Sequence, residues 1–105
     1  MLYELRTYTL KVGTMATVLE LYGNEGYPAF SADEKARLVG YFTSDVGTLN
    51  QIVHLWRFND DAERRAHWKS VFSNKAFMEF AGKLRPNNIT QENMLLNQAP
   101  WGPQP

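Results

Sequence analysis

Glu4 and Arg6 stand two residues apart in a segment, LYELRTYT, whose residues alternate. On a strand, that spacing puts a carboxylate and a guanidinium on one face, roughly 7 Å apart. In solvent such a pair contributes little to stability; enclosed, it needs partners and can bind a polar ligand group. His54 lies in a second β-rich run, NQIVHLWRF, and is the candidate catalytic residue. An imidazole there could move a proton near neutral pH, or it could be a hydrogen-bonded ring packed beside Trp56. A contact from Glu4 would raise its proton affinity. Tyr41, in LVGYFTS, combines a hydroxyl donor with apolar area, and Trp56 could wall out water. The candidate ligand pocket is therefore Glu4, Arg6, Tyr41 and Trp56, with Arg6 holding an anionic or enolate-like oxygen and His54 transferring the proton. Gln91 and Asn93 share one face of ITQENMLL, where they could bond a ligand or blunt an edge strand.

Other chemistries lack their residues. His67 stands among Arg64, Arg65 and Lys69, a cluster that reads as a solvated helix face. With two histidines, no cysteine and no His-x-x-x-His or Glu-x-x-His spacing, no metal site is expected. The scattered glycines form neither GxGxxG nor a P-loop, GxSxG is absent, and no cofactor is expected. Eleven basic residues balance eleven acidic ones, which argues against a nucleic-acid partner. No apolar run approaches the roughly 18 residues of a membrane span. MLYELRTYTL has neither a charged n-region nor an apolar h-region, so a cytoplasmic protein is the expectation.

The elements that must position these residues fit one domain, since 105 residues with 44% hydrophobic content suffice for a single core. Residues 2 to 9 alternate as a strand. Met15, Val18, Leu19 and Tyr22 draw a helical stripe before Gly23 and Gly26 interrupt it. Ser31 and Glu34 have capping-box spacing for a short helix over roughly 32 to 37, and Asp60 with Glu63 repeats the signature. Residues 38 to 44 and 50 to 58 form a hairpin around Asp45 and Gly47. Phe77, Phe80, Ala81 and Leu84 make a second stripe, beyond a break near Ser73 and Asn74, and Pro86 closes that region. A last strand runs roughly 89 to 96. Residues 1 to 96 then form the domain, and the proline-rich 97 to 105 a tail whose Trp101 either anchors on a partner subunit or stays disordered.

Strand, helix, strand, strand, helix, strand predicts an α+β, ferredoxin-like βαββαβ fold with a four-stranded antiparallel sheet and strands one and three at its centre. Both helices cover one face. With Tyr3 and Leu5 packed beneath them, Glu4 and Arg6 would look away. Strand three is apolar on both sides, with Ile52, Trp56 and Phe58 opposing Val53 and Leu55. An exposed patch containing Trp56 and Phe58 would seek cover, which predicts a homodimer closed sheet against sheet.

The segments YELRTYTL (3 to 10), LVGYFTSDVGTLNQIVHLW (38 to 56) and RPNNITQEN (85 to 93) together resemble the NIPSNAP family over nearly the whole chain. The chain looks like a short, single-domain, bacterial-type member. The resemblance implies a ferredoxin-like unit that dimerises as an α/β barrel, an architecture whose relatives include cofactor-free monooxygenases, isomerases and haem enzymes. It supplies no reaction. Two functions are compatible with these residues. One is a homodimeric barrel with a small-molecule pocket on the sheet face, in its catalytic version a cofactor-free, monooxygenase- or isomerase-like enzyme. The alternative is a non-catalytic dimeric interaction or scaffold module in which the same residues only seal the barrel.

Overall fold

The computed structural model describes all 105 residues. β1 (Leu2–Leu10) leads into α1 (Met15–Leu21), a π-helical turn (Tyr22–Gly26), and the short helices α2 (Tyr27–Ala29) and α3 (Ala32–Ala36). The hairpin β2 (Leu38–Thr43) and β3 (Gln51–Phe58) comes next, then α4 (Asp61–Ser73), α5 (Lys75–Leu84), a 3-10 turn (Arg85–Asn87) and β4 (Asn88–Asn97). The sheet order is β2-β3-β1-β4, with every pair antiparallel, so β1 and β3 lie centrally in a ferredoxin-like α+β arrangement.

Local chemistry sets the boundaries. Ser31 and Glu34 exchange side-chain and backbone bonds in a capping box at the start of α3, and the Glu34 carboxylate also accepts from the Ser70 hydroxyl of α4 at 2.8 Å. The Asp60 carboxylate caps α4, and Asn74 accepts from the backbone N–H groups of Ala76 and Phe77 to begin α5. In the hairpin, Gly47 has φ +98° and Asn50 φ +62°, the left-handed region that these two residue types tolerate.

The sheet presents opposite faces to helices and surroundings, and their assignment differs from the sequence expectation. Glu4, Arg6, Tyr8 and Leu10 point to the helices together with Ile52, His54, Trp56 and Phe58, all of them buried. Tyr3 and Leu5 lie on the outer face. Strand alternation gives the parity of each face without saying which one the helices cover, and the acidic and basic residues of β1 are the ones beneath them. Trp56 and Phe58, expected in the association patch, are core residues at 0% and 1% exposure. The outer face instead carries Leu5, Val53, Leu55, Met94 and Leu96 at register-paired positions.

On the helix side the apolar core forms two clusters. One contains Leu10, Val18, Ile52, Phe80 and Leu84; the other contains Phe30, Trp56, Phe58, Trp68 and Val71. At the outer face, the tail turns back so that the Pro105 backbone oxygen accepts from the Tyr3 hydroxyl and the Arg57 guanidinium, each at 3.0 Å. Trp101 is 87% exposed and anchors on nothing within the chain.

Candidate functional site

A cavity of about 450 Å³ lies between the helix-facing side of the sheet and the α4–α5 region. Register places its main polar groups side by side: Glu4 opposite Trp56, Arg6 opposite His54, and Tyr41 on the other side of His54. The expected pocket residues Glu4, Arg6, Tyr41 and His54 all line it. Trp56 does not; it lies behind His54 as part of the core.

Glu4 is 1% exposed and its charge is fully engaged. Its carboxylate accepts from Arg6 at 3.0 Å, from Arg64 at 3.1 Å and from the Trp68 indole N–H at 3.0 Å. Multiple charge-assisted bonds are the condition under which a buried carboxylate is tolerated. The Arg6 guanidinium carbon sits 4.1 Å from the centre of the Trp68 ring, a cation–π contact that fixes its plane. The Arg6 Nε–H is buried and has no partner.

His54 is held from behind. The Trp56 indole N–H donates to its Nδ1 at 2.6 Å, so the neutral ring carries its proton on Nε2. That Nε2 is buried and without a partner. Burial, and then the charge of Arg6, hold the imidazole well below its ordinary pKa of 6.5. The anticipated effect of Glu4 was the reverse, but it is Arg6 that faces the ring. His54 is therefore a neutral ring on the cavity wall with one unpaired N–H and its only basic nitrogen occupied.

Aromatic rings complete the inner wall. Tyr41 stacks on His54 at 4.4 Å and 8°, Tyr8 meets it edge-on at 5.0 Å, and Tyr22 lies 5.3 Å from Tyr41. Burial pushes the Tyr22 and Tyr41 phenols well up, which keeps both protonated and able to donate. Nearer the rim, the lining includes Arg85, Asn88, Gln91 and Asn93. Gln91 and Asn93, left open between two faces by the sequence, thus belong to the cavity side. Arg6, Arg64 and Arg85 against Glu4 leave the lining net positive.

Several lining residues were not singled out from sequence. Tyr8 continues the Glu4–Arg6 alternation, and Arg64 and Trp68 share a helix face at i, i+4, so both signals were present. Arg85 and Asn88 lie beyond the end of α5, where no periodicity points to a site. His67 is a further correction: instead of facing solvent it is 2% exposed, with Trp56, Phe58 and Trp68 rings 4.6 to 5.1 Å away. Both its nitrogens are buried without partners, and burial, reinforced by Arg37, lowers its pKa to about 4. No three His, Cys, Asp or Glu side chains group closely enough to hold a metal ion. No helix is long and apolar enough to cross a membrane.

The chain is similar to several known proteins. A family model described as NIPSNAP matches residues 3–103. Protein NipSnap homolog 3B of Mus musculus is 31% identical over 78 residues, covering 73% of this chain and 30% of that protein, so this chain spans under a third of the mouse protein's length. Among solved structures, protein Atu4242 from Agrobacterium tumefaciens superposes with a TM-score of 0.88 at 32% identity, over 98% of both chains. An antibiotic biosynthesis monooxygenase superposes with a TM-score of 0.66 at 15% identity, over 95% of this chain and 100% of its own, a likeness of fold alone.

Proposed function

The chain belongs to the NIPSNAP family, and from that premise we propose that it binds a small organic anion in the cavity between sheet and helices, as a homodimer closed through the outer face of the sheet. The observation that carries this reading is that Arg6 and His54 both line one cavity and each keeps a buried N–H, Arg6 Nε and His54 Nε2, that has no partner. A buried polar group left unsatisfied costs about 1–3 kcal/mol, and two on adjacent strands are explained together by one ligand oxygen or one carboxylate.

The same geometry supports a role for the pocket. Arg6 and the neutral His54 both donate, so they stabilise negative charge on an oxygen, as on an enolate or a carboxylate. Of the acid and base roles open to His54 from sequence, the geometry supports the donor side, because its Nδ1 accepts from Trp56. Glu4 is committed to three donors and is equally unsuited to abstracting a proton. Binding and polarisation of an anionic ligand are thus the core activity. A cofactor-free enzyme, monooxygenase- or isomerase-like, would use the same donors on an enolate-type substrate. A scaffold would fill this volume with side chains, whereas the cavity supports a ligand.

A native mass spectrum of the purified protein, followed by calorimetric titration of small carboxylates and cyclic diketone enolates, tests the reading. The expected result is a dimer binding at least one such anion. Arg6→Lys and His54→Phe should each weaken it by about tenfold or more, with the dimer and the fold retained. If these substitutions instead dissolve the dimer and leave binding unchanged, the residues seal an interface and the pocket reading fails.

A further inference from the structure

Beside the polar cavity lies a second concavity of about 410 Å³, open toward the β2 edge. Seven of its nine lining residues are hydrophobic, and Leu19, Tyr27 and Phe42 stand there 46%, 46% and 56% exposed. Single exposed apolar side chains are ordinary, but several lining one trough mark a surface that binds. Tyr22 and Tyr41 line both spaces, one side toward Arg6 and His54 and the other toward the trough. Their rings, 5.3 Å apart, are a partition one side chain thick.

We infer that the ligand is an alkyl carboxylate whose head binds Arg6 and His54 and whose hydrocarbon chain parts the Tyr22–Tyr41 wall to reach the apolar trough. The inference rests on the anion-binding reading and extends it to a chemical class. Two N–H donors on adjacent strands suit the oxygens of a carboxylate. The trough recognises by burial alone and therefore suits hydrocarbon. Backbone irregularity also concentrates at the partition: Tyr22 opens the π-helical turn, a feature found mostly at functional positions. At the other end of that turn, a Cβ on Gly26 would lie 2.6 Å from the Phe80 ring, so glycine lets the turn sit directly on α5. The two spaces lie back to back across the shared residues Tyr22 and Tyr41, and that adjacency favours one ligand over a docked peptide or a second copy of the chain.

Calorimetric titration of the whole protein with unbranched carboxylates from butanoate to dodecanoate, below their micelle concentrations, tests this. Affinity should rise about fourfold per added methylene until the trough is filled. Leu19→Glu should abolish that gain, and Arg6→Lys should weaken every member of the series. Short carboxylates binding through Arg6 with no chain-length dependence would overturn the alkyl class and leave the anion reading standing. Binding by none of the series would overturn the alkyl class, and the anion reading as well if cyclic diketone enolates also fail to bind. Long carboxylates that bind independently of Arg6 would overturn the single-ligand site. So would a loss of self-association in Leu19→Glu without a chain-length effect, because the trough would then be a contact between copies.

Discussion

At the scale of single residues, the site is governed by which atom carries each proton. Trp56 sets the tautomer of His54, although it never reaches the cavity. In long-range proton–nitrogen NMR spectra, the wild-type His54 ring should show Nε2 protonated and Nδ1 bare across neutral pH. Trp56→Phe should populate the other tautomer; an unchanged spectrum would remove Trp56 as the positioning residue. His67 makes a different prediction. Its pKa falls from 6.5 to about 4 on folding, so the unfolded chain takes up the proton first as pH drops. The folded state is fully stable in this respect above pH 6.5 and loses about 3 kcal/mol between 6.5 and about 4, and His54 acts in the same direction. His67→Phe, among three aromatic neighbours, should shift acid unfolding to lower pH and leave stability at neutral pH equal or higher, as read from urea melts across that range. Residue types were legible in the sequence: Glu4, Arg6, Tyr41 and His54 do converge. What alternation could not supply was the sign of the face, nor that Arg6 and not Glu4 would sit opposite His54, since that depends on inter-strand register.

At the scale of elements, short polar signals were the most legible. Ser31 and Glu34, Asp60 and Glu63, and the break at Ser73 and Asn74 fall where caps and helix ends occur. Asn74 ends one helix and begins the next while its amide donates to the Ala29 carbonyl at 2.9 Å, so Asn74→Ala should cost about 1–2 kcal/mol in chemical denaturation. The π-helical turn was not legible. Gly23 and Gly26 marked an interruption, but glycine spacing does not distinguish a loop from a wide helical turn. Gly26→Ala should destabilise by about 1–3 kcal/mol, because Phe80 of α5 occupies the space its methyl needs. A melting temperature unchanged by that substitution would show that the turn moves freely against α5.

At the scale of the whole molecule, the strand order was legible from the succession of elements because a right-handed crossover leaves few alternatives. The apolar second face was legible too, though through Val53 and Leu55 and not through Trp56 and Phe58. The outer face is the expected seat of the second subunit. If the proposed dimer closes there, Leu55→Glu, near its middle and remote from the cavity, should leave a monomer in light scattering while preserving the fold by circular dichroism. A dimer that tolerates this charge would pair through some other surface.

The partition between polar cavity and apolar trough depends on the number of residues between α1 and α2 as well as on their kinds. A π-helical turn holds one residue more per hydrogen-bonded ring than an α-helical turn. Deleting one residue from Tyr22–Gly26 would let the helix run on without its bulge and rotate the downstream chain by about 100°. Tyr27 and Phe30 would turn away from their present neighbours and Gly26 would lose its seat against Phe80. Among relatives, the length of this segment is therefore a better guide than its composition to whether the same partition exists: a one-residue gap here would predict a differently shaped pocket even where Arg6 and His54 are retained.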